Sequence, residues 1–225
     1  MQPANPDPLA QLTEIRAIME RSSRFLSLSG LSGVGAGVVA LAGALAGHFY
    51  LQSHYPGGFL RLINGSEEER RAALPFLVLL ATVMIGVALL AAFYFTQRRM
   101  RNDGQALWSA PARRLAMALA VPLVVGGLFC LRLYLGGDAG LVVPGLLVFY
   151  GLALLNASKF TLDEIRWLGL TQVGLGLVAM LVPGWGLIFF GLGFGLGHIG
   201  YGLVMYNRYE RPGAAGANPK TVVAR

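Results

Sequence analysis

The residues that could do chemistry are few, and most sit in apolar surroundings. Thr171, Gln172, His198 and Tyr201 fall within two long hydrophobic stretches, and Asn156 lies at the end of another. An amide, hydroxyl or imidazole in such a stretch either bonds to a neighbouring helix or lines a wet cavity. The first use makes these residues structural. The second groups Asn156, Thr171, Gln172, His198 and Tyr201 into a small polar pocket open to the cytoplasm, where His198 would titrate near neutral pH. Other chemistries lack their parts. The only lysines, Lys159 and Lys220, lie outside the hydrophobic stretches, so a retinal Schiff base has no anchor. No Asp or Glu falls inside a stretch, which argues against a proton relay, a carboxylate cation pathway or a paired-carboxylate active site. Cys130 is the single cysteine, so neither an intrachain disulfide nor a cysteine metal site is available. No catalytic residue, metal ligand or cofactor is expected.

The elements that would position these groups follow from composition. The chain has 225 residues, 55% hydrophobic and 13% charged, with a mean hydropathy of +0.60. Soluble domains carry about 25% charged residues, so too little polar surface is available to cover a water-soluble globule. Six stretches approach the roughly 17–25 helical residues that cross a bilayer core. They are Phe25–Tyr50, Pro75–Phe95, Leu115–Leu135, Leu141–Ala157, Trp167–Val182 and Leu187–Tyr206. Backbone polar groups in lipid must pair within their own segment, and none of the stretches alternates as a barrel strand would. The expectation is an all-α polytopic membrane protein with six transmembrane helices.

Charge sets the orientation. With the N-terminus inside, only Arg61, Arg70 and Arg71 fall on the outer side and Arg132 within a span. Every other Lys and Arg lies on the inner side, a strong positive-inside pattern. The net charge of +7 is then explained by topology and by anionic lipids at the cytoplasmic face, without nucleic acid. Arg132 would snorkel to the headgroups or pair with Asp138.

Residues 1–24 read as a cytoplasmic amphipathic helix: Leu9, Leu12, Ile15, Ile18 and Met19 form one apolar stripe, for the membrane interface or for docking onto the bundle. Residues 25–206 form the transmembrane domain, and 207–225 a disordered cytoplasmic tail rich in Gly, Ala and Pro. In the first outer loop Asn64-Gly65-Ser66 reads as a turn, and Glu67–Arg71 as a solvated charge run. Thr161-Leu-Asp-Glu164 fits a capping box that starts the fifth span, with Trp167 at headgroup depth.

Val143-Pro-Gly145 and Val182-Pro-Gly184 precede similar residues at an offset of forty, Leu147–Ala153 and Leu187–Gly193. Pro75 stands at the outer start of the second span, as a first-turn proline can. Three hairpins turning tightly outside are expected. Gly33, Gly37, Gly193 and Gly197 belong to runs of small residues that let helix backbones approach in lipid.

Ala157–Arg211, with Lys159-Phe-Thr-Leu-Asp-Glu-Ile-Arg-Trp-Leu-Gly169 and the glycines up to Tyr209-Glu-Arg211, resembles a family of six-span membrane proteins of Bacteroidota with no assigned activity. Arg21-Ser-Ser-Arg-Phe-Leu-Ser-Leu-Ser-Gly30 fits the same family. The hairpin glycines and prolines are similar, more weakly, to acid-resistance membrane proteins of the HdeD type. These resemblances imply a multi-pass protein of the bacterial inner membrane, both termini cytoplasmic. Members of the first family sometimes carry an automatic carotenoid-oxygenase name, and such enzymes hold iron with four histidines. This chain has three, His48, His54 and His198, with His198 inside a span and the others at the outer edge. The expected role is therefore non-enzymatic, in envelope maintenance, sensing or stress response, through packing contacts and a protein partner or homo-oligomer. Carriage of a small neutral or lipophilic solute is the alternative, and a membrane-embedded lipid enzyme the third reading.

Overall fold

The computed structural model describes Met19, Phe25 and residues 28–103 and 109–211. Nearly all of the amphipathic segment expected at the N-terminus, and the tail beyond 211, lie outside the described residues. Among the described residues every regular element is helical and there is no strand.

Helix α1 (Gly30–His54) ends at the turn Tyr55-Pro-Gly-Gly58, where Gly57 and Gly58 have φ of +99° and +59°, a region costly for residues with a Cβ. A short α2 (Gly58–Asn64) leads into α3 (Glu67–Asp103). The charged run expected to be a solvated loop is the first turn of α3. Ser66 and Glu69 build a capping box there: the Ser66 N–H donates to Glu69 Oε2 at 2.8 Å, and the Glu69 N–H to Ser66 Oγ at 3.2 Å. Pro75, expected to open the second span, lies inside α3 instead, because the capping box nucleates the helix two turns earlier.

Helix α4 (Ala110–Gly136) is capped by Ser109, whose Oγ accepts from the Ala112 N–H, and stops at Gly137 with φ +103°. A 3₁₀ turn opens α5 (Val142–Ala157). Then comes α6 (Glu164–Leu181). The expected Thr161–Glu164 capping box does not form. The Thr161 hydroxyl donates to the Phe25 carbonyl at 2.8 Å, and Glu164 Oε1 accepts from Arg208 at 2.9 Å and the Tyr209 hydroxyl at 2.8 Å. Tertiary partners have taken both halves of the local motif. The last helical segment runs from α7 (Gly186–Phe190) through a π-helical stretch (Gly191–Gly197) into α8 (His198–Tyr209).

Among the described residues, five helical segments are long and apolar enough to cross a membrane: Gly30–His54, Glu67–Arg101, Ala110–Gly136, Ala139–Phe160 and Pro183–Tyr209. The fifth expected span, Trp167–Val182, corresponds to α6, which has 18 residues and carries Glu164, Arg166 and Gln172. Neighbours follow the order α3, α1, α8, α6, α5, α4, with α5 and α6 in the most extensive contact. Helices α3 and α4 meet at both ends. At one, Met100 and Leu115 share a cluster with Phe25 and Ala157. At the other, Ala73 packs with Tyr134, whose hydroxyl donates to the Arg70 carbonyl at 2.7 Å. The outer surface is apolar, with Leu79, Leu90, Leu128 and Leu181 exposed, an exterior that water-soluble monomers rarely show on this scale.

Candidate functional site

Backbone proximity creates the site. Where α5 crosses α6, a Cβ on Gly151 would stand 2.6 Å from the Gly169 carbonyl, and one on Gly169 2.9 Å from the Gly151 carbonyl. Only hydrogens fit between these helices. Tyr150 adjoins one glycine and Gln172 lies one turn beyond the other, so both side chains reach the π-helical segment.

The π-helical segment supplies the shared acceptor. Its wider winding is rare outside single turns and recurs at functional positions. Four of its seven residues are glycine. The Gly193 carbonyl accepts from Gln172 Nε2 at 2.8 Å and from His198 Nδ1 at 3.2 Å. A carbonyl only accepts, so Nδ1 carries the ring proton. In the neutral imidazole Nε2 is then an acceptor, and the Tyr150 hydroxyl donates to it at 2.6 Å. The result is one chain of bonds, from Tyr150 through His198 to Gly193, joined there by Gln172. Gln172 is fully enclosed and His198 is 7% exposed. Gln172 Oε1 has no partner, and a Cβ on Gly193 would lie 2.5 Å from it and from Leu147 Cδ2.

The other expected pocket residues lie apart. Asn156 Nδ2 donates to the Ala118 carbonyl at 3.0 Å, tying α5 to α4. Thr171 and Tyr201 form a separate hydroxyl pair at 3.4 Å, with Thr171 exposed on the bundle exterior. Among the four glycines expected to pack helices, Gly193 meets side chains at 2.5 Å, and Gly37 meets backbone, where its Cβ would stand 2.6 Å from the Gly195 carbonyl. Gly33 would meet Gly202 Cα at 3.2 Å. Gly197 has more room, with its nearest atom 3.3 Å away.

Tyr150 escaped the sequence reading. Its signal was present in the repeat, where Leu147-Val-Phe-Tyr150 aligns with Leu187-Ile-Phe-Phe190 and the tyrosine hydroxyl is the one polar atom added. A second polar group at the Arg99 end also escaped it. Glu210 accepts from Ser29 Oγ at 3.0 Å and from the first N–H of α1, and pairs with Arg99 at 3.2 Å. It caps α1 from 180 residues away and offsets the positive end of that helix.

Of the polar atoms in this arrangement, Gln172 Oε1 is left without a partner. Both ring nitrogens of His198 are bonded, and the neighbouring Gln172 is sealed from solvent. Among the described residues no group of three His, Cys, Asp or Glu could hold a metal ion. Set against protein-family models, curated proteins and solved structures, the chain matches none of them, so the reading of the site rests on its own geometry.

Proposed function

We propose that this chain is a six-span protein of the bacterial inner membrane with both termini cytoplasmic, and that it acts without turnover, in envelope maintenance, sensing or stress response. The observation that carries this reading is the closure of its intramembrane polar groups. Tyr150, Gln172 and Asn156 direct hydrogen bonds at other helices of the same bundle, and His198 joins Tyr150 to its own segment, as interhelical ties do in lipid. Helix α6 counts as the fifth of the six spans: its 18 residues rise about 27 Å, and its close crossing with α5 keeps it within the bundle. Carriage of a solute would need an opening that reaches Gln172, which is enclosed. The protein then works through its surfaces, on lipid, a second copy or another membrane protein.

The test is solute flux. Full-length protein reconstituted into liposomes with entrapped glycerol, urea or a lipophilic dye should release them no faster than protein-free liposomes. Release that Gln172→Leu abolishes would overturn the reading in favour of a carrier or channel.

A further inference from the structure

At the Arg99 end of α3, Tyr94, Arg98 and Arg101 are exposed, with Gln97 half-buried beside them. Tyr94, Gln97, Arg98 and Arg101 follow the spacing that places residues on one helical face, and together they line a recess of about 200 Å³. Arg98 and Arg101 are exposed. Arg99 between them turns inward, donates to the Leu28 carbonyl and pairs with Glu210. Among the described residues neither Arg98 nor Arg101 has an ion-pair partner. Among the described residues, the recess is thus lined by two guanidinium groups without an ion-pair partner, an amide and a phenol.

A guanidinium fork matches the oxygens of a phosphate in bidentate fashion. What lies beside the recess decides between a free and a lipid phosphate. One turn before Tyr94 stands Leu90, 70% exposed, followed back along the helix by Val87 and Val83 at 44% and 52%. The charged recess therefore continues into an apolar strip on the same helix, with a tyrosine at the junction where amphipathic rings favour the headgroup level. The ligand that fits is an amphiphile with an anionic head.

We propose that Tyr94, Gln97, Arg98 and Arg101 bind the phosphate of an anionic phospholipid, whose acyl chains lie along Leu90, Val87 and Val83. This rests on reading α3 as a membrane span and extends that reading to a site. A zwitterionic headgroup is disfavoured because its ammonium would find no acidic side chain among the described residues of the lining.

Native mass spectrometry of the full-length protein in detergent, titrated with phosphatidylglycerol, phosphatidylcholine or inorganic phosphate, tests the proposal. Phosphatidylglycerol should occupy its tightest site well ahead of phosphatidylcholine. Removing both charges with Arg98→Gln and Arg101→Gln should weaken that site by more than tenfold, at roughly fivefold per arginine. The Arg98→Lys, Arg101→Lys pair keeps the charge without the fork and should fall between. Removing equal charge from the start of α4, with Arg113→Gln and Arg114→Gln, should leave the site unchanged. Equal weakening by the two glutamine pairs, or by neither, would overturn the proposal. So would displacement of the lipid by inorganic phosphate at matching concentration. An unchanged thermal midpoint shows that each variant is folded. Resistance of the parent protein to alkaline extraction from membranes reads insertion separately, so failure of the site leaves the membrane reading standing.

Discussion

A single carbonyl, that of Gly193, receives two side-chain donors, and a third side chain is bonded behind one of them. In lipid such ties are worth about 0.6–2 kcal/mol each, so the three side chains can be ranked by deletion. Tyr150→Phe strips His198 Nε2 of its donor and should lower stability by about 1 kcal/mol. Combined with His198→Gln in a double-mutant cycle, it should show coupling of at least about 0.5 kcal/mol. Thr171→Val with Tyr201→Phe should show almost none, since that pair is long and exposed. Gln172→Leu loses one bond but also removes a buried oxygen that has no partner, so it should cost less than Tyr150→Phe. Unfolding of the full chain in mixed micelles measures all four. Coupling at Thr171–Tyr201 equal to that at Tyr150–His198 would contradict the assignment.

Helices α5 with α6, and α1 with the last helical segment, are held at distances that only glycine allows. Gly151 and Gly37 face backbone, which cannot yield as a flexible side chain does, whereas Gly127 and Gly174 face nothing within 4 Å. Replacing Gly151 or Gly37 by Leu should therefore cost more than about 3 kcal/mol, beyond ordinary overpacking. The same change at Gly127 or Gly174 should be tolerated. Thermal inactivation in detergent separates the two sets. Equal losses at all four would mean that backbone proximity does not hold the bundle. The close crossings explain how so apolar a chain chooses one packing when lipid competes for every hydrophobic contact.

Across the whole molecule, Glu210 joins the end of α8 to the start of α1 and to Arg99 on α3. Arg99 and Glu210 side chains are only 19% and 13% exposed, so Glu210→Ala leaves a largely buried guanidinium and an uncapped helix. It should destabilise by about 3 kcal/mol or more, and Arg99→Ala added to it should recover part of that loss. Topology is tested independently. Reporter domains fused after Arg101 and after Glu210 should read cytoplasmic and one after Ser66 external. An odd number of spans would refute the six-span reading.

Composition and periodicity alone determined that this chain is helical and apolar, because the long hydrophobic runs leave its backbone no other way to pair its polar groups in lipid. They also singled out Gln172 and His198, since a polar side chain is conspicuous in such a run. Local signals were ambiguous where two copies of a pattern competed. Ser66–Glu69 carries the same pattern as Thr161–Glu164, and only the latter was expected to be a capping box. Only the former forms one, because Phe25, Arg208 and Tyr209 reach Thr161 and Glu164 in space. Tyr150 and Glu210 belong to the same class: their partners are 48 and about 180 residues away, a separation that no local spacing encodes. The π-helical winding of Gly191–Gly197 is likewise a tertiary choice. Its glycines permit several windings, and the bonds from Gln172 and His198 to the Gly193 carbonyl select one.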